Sequence, residues 1–432
     1  MKHTKKKILA IAVTAAMCAP MAAMATNGYF GHGIGMKSMG MGGAGIAMAQ
    51  DSLASATNPA AAALAGNRID FGLNLFKPDR ESKVSGSAGG SGAFDGTYSG
   101  NETSMFPIPE FGYNRDLGND MAFALTVVGR GGMNTDYDKE FMLYSGGSGN
   151  KPGIDLAQLY ISPTFAMKLN PDHAVGITLN MIYQRFKAHG LEGFAPLAAD
   201  GAGDNLTSDK YDSSTGFSIG LGWTGKVAPG VTLGATYTTK GQMSEFDKYS
   251  DLFAEQGDFD TPASLGVGVA VETTPAITVA FDISKIYYSG IASISNPLTP
   301  NILNCMGGDP TYCLGADDGP GFGWEDMTVY KLGVSWKYQS DLVLRAGFNH
   351  GKQPIPDSET FYNFLAPGVV ENHLTLGATK TLANGAELTF MYMHAFSKDV
   401  KGSGSIPAAF GGGEVDLNMS QNAIGVAYGW DM

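Results

Sequence analysis

From Thr26 to Leu64 the chain reads TNGYFGHGIGMKSMGMGGAGIAMAQDSLASATNPAAAAL. Glycine, alanine and methionine dominate this stretch, which is too rich in small and flexible residues to be an ordinary strand or helix. It lies between a targeting signal and a long series of alternating segments. We interpret it as a plug that is threaded inside the structure those segments build.

The first 25 residues have the three parts of a secretory signal: a basic start, an apolar run from Ile8 to Ala19, and Ala23-Met24-Ala25 before Thr26. Its removal takes away four lysines and leaves 24 of the 28 basic residues against 41 acidic ones, a net charge of −17. That charge excludes a nucleic-acid partner. No later run approaches the ~20 apolar residues of a membrane helix. If the mature chain spans a membrane, it must therefore do so as a closed barrel.

From Arg68 onward, segments with alternating apolar and polar residues are separated by short and long connectors in strict turn. The short connectors carry turn residues and span 116–120, 170–172, 228–230, 273–275, 339–341 and 383–385. The long ones are polar and glycine-rich and span about 78–102, 138–153, 191–210, 246–261, 291–325, 351–370 and 398–414. Thirteen connections join fourteen strands, with all short turns on one side. This asymmetry predicts an all-β fold, a fourteen-stranded antiparallel transmembrane β-barrel with the N-terminal plug in its lumen.

Alternation within the segments supports the barrel. In the segment from Val231 to Lys240, the odd-numbered positions up to Tyr237 share one face, and the even-numbered ones, Lys240 included, share the other. A soluble β-sandwich also alternates. However, these strands reach or exceed ~10 residues, and aromatic side chains cluster near their ends. The clusters are Tyr287 with Tyr288, Trp336 with Tyr338, and Tyr428 with Trp430.

The stretch from Gly33 to Leu64, with Asp51 and then Thr57-Asn58-Pro59-Ala60, resembles the N-terminal hatch of the FadL family of outer-membrane transporters for long-chain fatty acids and other hydrophobic compounds. Further similar segments follow in the family's order: Phe106 to Tyr113, Asp116 to Asp136, Tyr183 to Lys187, Leu344 to Pro356 and Tyr392 to Lys398. The resemblance covers essentially the whole mature chain. We therefore divide the chain into a signal peptide (1–25), a hatch or plug (26–66) and a transmembrane β-barrel (67–432).

The resemblance implies passive transport, in which the ligand comes from the extracellular side, reaches a lumenal pocket near the N-terminus and leaves sideways where the third strand kinks. The third strand is predicted at Met121 to Asp136, and Gly129-Arg130-Gly131-Gly132 interrupts it at the matching place. Glycines weaken a strand ladder and permit a bulge or bend. The kink therefore has a physical basis in these residues.

Three cations are candidates for binding a fatty-acid carboxylate. Counting Phe123, Leu125 and Val127 as lipid-facing puts Arg130 on the lumen side at the proposed exit. There it can attract a carboxylate through charge-assisted hydrogen bonds, or it can pair with a lumenal acid. Strand parity also puts Lys240 and Arg345 in the lumen, with the same two alternatives.

The two ends of the hatch carry the other candidate residues. Tyr29 and Phe30 match the part of the hatch that contacts ligand in this family. Asn58, Pro59 and Ala60 match the family's Asn-Pro-Ala motif, although Asn before Pro also starts ordinary turns. We expect this motif to meet the barrel wall close to the break at Gly129 to Gly132, so that ligand binding at the N-terminal end is felt at the exit.

Cys305 and Cys313, in a C-x7-C spacing within a long loop, remain after signal removal. In an oxidising compartment this spacing favours a local disulfide over a metal pair, since no histidine lies nearby. The histidines are scattered and show neither catalytic nor metal-binding spacing. We therefore predict no catalytic residue, no metal site, no cofactor and no enzymatic activity.

These observations predict passive transport of long-chain fatty acids or related hydrophobic molecules by a monomer in the outer membrane of a Gram-negative bacterium, in contact with membrane lipid and lipopolysaccharide. The alternatives are an aromatic hydrocarbon channel of the same fold and, with less support, a general porin or an outer-membrane lipid enzyme. A fatty acid needs a lumenal cation and a hydrocarbon does not, so the substrate stays open at this point.

Overall fold

The computed structural model describes residues 26–432, and the predicted signal peptide lies outside the described residues. Its long strands are β1 Arg68–Ser85, β2 Phe106–Gly118, β3 Met121–Asp136, β4 Gly153–Lys168, β5 His173–His189, β6 Asp212–Ala228, β7 Val231–Thr238, β8 Ser264–Thr274, β9 Ile277–Ile286, β10 Met327–Gln339, β11 Leu342–Gly351, β12 Asn372–Thr381, β13 Glu387–Val400 and β14 Glu414–Asp431. Neighbours in this order pair antiparallel. β14 pairs with β1 from Arg68 opposite Asp431 to Ser85 opposite Glu414, which closes the barrel.

The predicted fourteen-stranded barrel, with its alternation of short turns and long loops, is confirmed. Two boundaries differ most: β1 continues to Ser85 whereas the sequence placed a loop from about residue 78, and β7 ends at Thr238 whereas the sequence placed the next loop from about residue 246. Lys77 to Lys83 alternate between buried and exposed positions and stay paired with β14. Polar residues mark a loop less reliably here than in a soluble protein, because a strand that rises above the bilayer faces water on its outer side.

The barrel has an apolar outside and a polar inside. In β5, Ile177, Leu179 and Met181 are exposed, whereas the alternate residues Thr178 and Asn180 are buried. This arrangement reverses that of a soluble protein and matches a barrel whose outer face contacts lipid. Among residues 26–432, no helix has the length and apolar character that crossing a membrane requires.

The plug residues contact opposite sides of the wall, so the segment lies in the lumen. Its helical turns are α1 Met36–Met39 and the 3₁₀ turns Ala54–Ala56 and Pro59–Ala63. The Gly42 amide donates to Thr375 Oγ1 on β12 (2.7 Å), and the Gly45 amide donates to Asp282 Oδ2 on β9 (2.8 Å). On the other side, Asn114 Nδ2 of β2 donates to the Ala62 carbonyl (2.9 Å).

The long loops fold over the end of the barrel opposite the short turns. They contain the short strands Gly96–Ser99 and Gln242–Met243, the helical turns α2 Met142–Ser145, α3 Ala254–Gly257, α4 Ala292–Ser295 and α5 Asn301–Met306, and the 3₁₀ turns Glu192–Leu197, Asp247–Tyr249, Tyr288–Gly290, Pro310–Tyr312, Asp357–Glu359, Tyr362–Phe364 and Ala408–Phe410. Phe141, Tyr144, Phe361 and Phe364 are buried within them as an aromatic core. This core caps the lumen from outside.

Candidate functional site

The ladder between β2 and β3 stops part-way along the wall. Glu110 opposite Val128 is its last pair, so Gly129–Gly132 on β3 have no partner on β2. The facing edge of β2 carries Pro107 and Pro109, whose nitrogens cannot donate hydrogen bonds. The sequence itself thus prevents the ladder from continuing. We call the space between Phe106–Pro109 and Gly129–Gly132 the wall gap.

A bulge on β3 lies at the wall gap. Gly129 pairs with Leu159 and Gly131 with Gln158, so Arg130 is the extra residue on β3. A Cβ atom on Gly131 would lie 2.5 Å from Gln158 Oε1, and one on Gly129 would lie 2.9 Å from Ile108 Cγ2. Only glycine fits these two positions without displacing a neighbour. The register shift lies where the glycine run predicts a break.

The free edge of β3 pairs with the start of the plug. The Gly31 amide donates to the Arg130 carbonyl (3.2 Å), and the Gly132 amide donates to the Tyr29 carbonyl (3.0 Å). Residues 27–31, which we call the stopper, therefore occupy the place that β2 leaves. Phe30 forms a single antiparallel bridge with Gly131. The stopper closes the wall gap from inside.

Two loop aromatics hold the stopper from the extracellular side. Tyr288 Oη donates to the Asn27 carbonyl (2.6 Å), and its ring centroid lies 5.5 Å from that of Tyr29. Trp324 lies 6.2 Å from Tyr29 by the same measure. Burial raises the pKa of Tyr288, so its hydroxyl stays protonated and donates. Tyr288 follows the end of β9, as the sequence predicts, and its side chain is fully buried in the barrel mouth.

A cavity lies between the stopper, the plug and the wall. Phe30, Ile34 and Ile46 line it from within, and Arg130 and Lys331 line it from β3 and β10. It offers about 100 Å³ to the centres of water molecules, several times the ~10–15 Å³ that one water needs. It is therefore roomy enough to receive part of a ligand.

Neither cavity cation forms a close ion pair, although Asp282 of β9 lies directly opposite Lys331 of β10. Among the described residues, no carboxylate lies within 4.0 Å of the charged nitrogens of Arg130 or Lys331. The Arg130 guanidinium instead lies 5.7 Å from the ring centroid of Phe30 and 5.2 Å from that of Tyr160. The charge of Arg130 is thus available to an anionic ligand, and Lys331 adds a second charge beside Asp282, whose Oδ2 is already bonded to the plug. The sequence prediction missed Lys331. This residue lies on the same face of β10 as the buried Met327 and Val329, so strand alternation marks it as lumenal.

A second, smaller cavity continues from the first toward the wall gap. The two share Gly33, Ile34 and Gly129 in their linings. The second is bounded by Ile108 and Pro109 of β2, on the edge that loses its ladder. A thin layer of plug and wall residues is therefore all that separates the cations from the gap.

A family comparison agrees with this architecture. The family model described as outer membrane protein transport protein (OMPP1/FadL/TodX) matches residues 12–431. The chain belongs to this family. It is therefore an outer-membrane β-barrel with the fold of a transporter of hydrophobic compounds.

Solved structures of FadL-family proteins share the fold. The toluene transporter TodX of P. putida is 18% identical, with a TM-score of 0.67 over 93% of this chain and 99% of that one. A FadL homologue of Pseudomonas aeruginosa is 15% identical, with a TM-score of 0.70 over 94% and 99%. The toluene transporter TbuX of Ralstonia pickettii is 17% identical, with a TM-score of 0.61 over 93% and 99%. No curated protein matches the chain. These identities support the fold and leave the substrate open.

In this FadL-family chain, the Asn-Pro-Ala motif is bonded to the plug and to β6, and the residue before it, Thr57, lines the cavity together with Gly129 and Arg130. Asn58 Nδ2 donates to the Ile46 carbonyl (2.7 Å) and the Trp223 carbonyl (2.9 Å), and its Oδ1 accepts from the Ala60 amide (3.0 Å). Pro59 packs against β5 and β6 at glycine positions. The stopper forms backbone hydrogen bonds with the break in β3. The motif caps a 3₁₀ turn and ties it to the wall, and the N-terminal end of the hatch meets the exit directly.

The two other predicted cations are already engaged. Lys240 Nζ lies 2.7 Å from Asp260 Oδ2 in the loops. Arg345 is buried, and it donates to Thr379 Oγ1 (2.7 Å) and to Gln50 Oε1 of the plug (3.2 Å). Neither residue lines the cavity that holds Arg130. Of the three predicted cations, the structure therefore brings only Arg130 to the cavity.

Carboxylates of the wall hold the plug by accepting pairs of its backbone amides. Glu110 accepts from Gly35 (3.1 Å) and Met36 (3.2 Å) at the start of α1. Asp282 accepts from Gly45 (2.8 Å) and Ile46 (3.0 Å). These hydrogen bonds fix the plug residues that form the floor of the cavity.

The structure joins Cys305 to Cys313 by a disulfide bond in the loop between β9 and β10. Within residues 26–432, no group of three or more His, Cys, Asp or Glu side chains is placed to hold a metal ion.

Proposed function

We propose that the protein transports long-chain fatty acids passively across the outer membrane and releases them sideways through the wall gap. The observation that carries this proposal is the cavity in which Arg130 and Lys331 present positive charge and neither forms a close ion pair, with Asp282 as the acid opposite Lys331. A carboxylate in that cavity gains charge-assisted hydrogen bonds, while Phe30, Ile34 and Ile46 offer apolar contact to the start of the alkyl chain.

The lateral route is supported by the position of the cavity. A ligand that moves from the first cavity past Ile34 and Gly129 reaches the second cavity and then the edge of β2 at Ile108 and Pro109. The stopper occupies the gap through two backbone hydrogen bonds, each of which contributes only about 0.5–1.5 kcal/mol net. Displacing the stopper also requires release of the Tyr288 hydrogen bond and of the buried Tyr29 and Phe30 side chains, and we propose that ligand binding in the cavity compensates for this cost, so that no energy source is needed.

The neutral alternative is an aromatic hydrocarbon, the kind of compound that two of the related structures are named for. A hydrocarbon makes no use of the two half-buried cations, whereas a carboxylate gains charge-assisted hydrogen bonds from them, so the cavity favours the acid. General diffusion of small solutes is disfavoured because the plug, tied to opposite walls, fills the lumen.

The closed ladder leaves no unpaired barrel edge, so we propose that one chain is the working unit. The extracellular ends of the strands carry outward cations that fit the headgroup region of lipopolysaccharide. Lys187, for example, lies 3.1 Å from Asp209, with its stem along the outer face.

The test is uptake of radiolabelled oleate, with labelled toluene in parallel, by cells that lack other hydrophobic-compound channels and express this protein. We expect oleate uptake above background that falls when Arg130 and Lys331 are both changed to Met. Native mass spectrometry of the purified protein provides an independent readout, with a co-purified fatty acid expected. Toluene uptake without oleate uptake would favour the hydrocarbon channel instead.

A further inference from the structure

One wall of the cavity carries polar groups that have no partner. Thr238 of β7, Ser264 of β8 and Ser284 of β9 line it, and their hydroxyls make no hydrogen bond to any described residue. Asn27 of the stopper also lines the cavity; it is 2% exposed and its Oδ1 is unpartnered. The three hydroxyls are half-buried, whereas Asn27 Oδ1 is fully buried, and buried polar groups in proteins nearly always have partners. Their accumulation here points to a ligand that supplies them.

Strand register places these hydroxyls together and next to a cation. Ser264 lies directly opposite Thr238. Ser284 lies opposite Gly266, two residues along β8 from Ser264. On its other side Ser284 lies opposite Val329, two residues from Lys331. Diagonal neighbours of this kind have Cα atoms ~7–8 Å apart, so the row of hydroxyls begins within a few ligand carbons of the cation.

A plain alkyl chain does not suit this wall. When it covers the row, it displaces water and leaves each hydroxyl without a hydrogen bond, which costs about tenfold in affinity per group. A ligand oxygen at the same place restores the bond. Sites built to bind a substrate hydroxyl discriminate strongly against the analogue that lacks it. The wall therefore selects among acids of equal chain length.

We propose that the preferred ligand is an amphiphilic carboxylic acid with a hydroxyl group within a few carbon atoms of its carboxylate, and that Ser284, aided by Thr238 and Ser264, binds this hydroxyl. This inference rests on the proposed function, because it takes Arg130 and Lys331 as the carboxylate site. It adds the substrate class that the two cations alone do not define.

Competition binding tests the inference. Protein in lipid nanodiscs is loaded with tritiated hexadecanoate, which is then displaced by unlabelled hexadecanoate or 3-hydroxyhexadecanoate. We expect the hydroxy acid to bind about tenfold more tightly. Ser284→Ala should bring this ratio close to one, weakening the hydroxy acid and strengthening the plain acid. Thr238→Val, which keeps the side-chain shape, should lower the ratio in the same direction.

Ser335→Ala is the matched control, because Ser335 is a β10 residue that does not line the cavity, and it should keep the wild-type ratio. Equal affinities for the two acids in the wild type, or a ratio that survives both Ser284→Ala and Thr238→Val, would overturn this inference and leave the fatty-acid proposal standing. Failure of both acids to bind would overturn the two together.

Discussion

Replacing Arg130 by Met should weaken fatty-acid binding selectively. The guanidinium lines the cavity, stacks over Phe30 and Tyr160, and has no acidic partner among the described residues. A hydrogen bond to a charged group contributes about 1.5–3 kcal/mol. Lys331 remains as a second cation, so we take about 2 kcal/mol, which corresponds to a roughly 30-fold rise in Kd for oleate. Methionine keeps the apolar stem and much of the volume, which limits other effects.

The assay is equilibrium binding of labelled oleate and of the uncharged oleyl alcohol to protein in nanodiscs. We expect the acid to lose about 30-fold in affinity and the alcohol to change by less than about threefold, because only the acid uses the charge. Arg345→Met is the matched control, since Arg345 is bonded to Gln50 and Thr379 away from this cavity. Equal losses for acid and alcohol, or no loss at all, would refute the assignment of Arg130 as a carboxylate ligand.

Three further outcomes follow from the plug contacts. Asn58→Ala removes two hydrogen bonds to backbone carbonyls and the cap of a 3₁₀ turn. It should lower the free energy of unfolding by about 2–3 kcal/mol and so lower the denaturation temperature. An unchanged denaturation temperature would contradict the role of the motif in tying the plug to the wall. Tyr288→Phe removes the hydrogen bond to the carbonyl of residue 27, which is worth about 1 kcal/mol. A thiol reagent should therefore label Asn27→Cys about fivefold faster in the Tyr288→Phe background. An equal labelling rate would argue against the role of Tyr288 in holding the stopper. Burial, opposed by a hydrogen bond to Met39 and aided by the nearby Lys331, lowers the pKa of His32 to about 4. On acidification the unfolded state, with a pKa near 6.5, therefore binds its proton first, and about 2–3 kcal/mol of stability present above pH ~6.5 should be lost as the pH falls toward 4. Denaturation temperatures at pH 7 and 5 should differ less in His32→Gln, and an identical difference would contradict this.

The sequence predicts the barrel well because a closed membrane sheet imposes simple periodic rules. Outward residues such as Ile177 and Leu179 must be apolar, and hairpin turns must be short at one end. The break in β3 was also predictable, since a run of glycines around Arg130 interrupts an otherwise regular strand. These features depend on local pattern and on nothing distant in the chain.

The path of the plug follows no such rule. A lumenal segment is neither strand nor helix, so its contacts depend on the shape of the wall around it. For that reason the expectation that Asn58 meets the wall close to the break in β3 stays a prediction, and the bond from Tyr288 to the Asn27 carbonyl could not be foreseen. Lys331 is different, because parity within β10 was enough to place it in the lumen.

We propose that ligand leaves through the wall gap, and a reversible disulfide cross-link across this gap tests that route most directly. A Cβ on Gly129 would lie 2.9 Å from Ile108 Cγ2, which brings cysteines at the two positions within reach of a disulfide. The matched control is Tyr113→Cys with Leu125→Cys, a directly opposed pair in the intact part of the β2–β3 ladder. Wild-type protein treated with the same oxidant and reductant controls for Cys305 and Cys313.

Oleate uptake is measured with each variant oxidised and again after reduction. We predict that the oxidised Ile108→Cys/Gly129→Cys protein falls at least tenfold toward background and recovers on reduction, while the control pair transports normally in both states. Normal oleate uptake by the fully cross-linked Ile108→Cys/Gly129→Cys protein would contradict the lateral route.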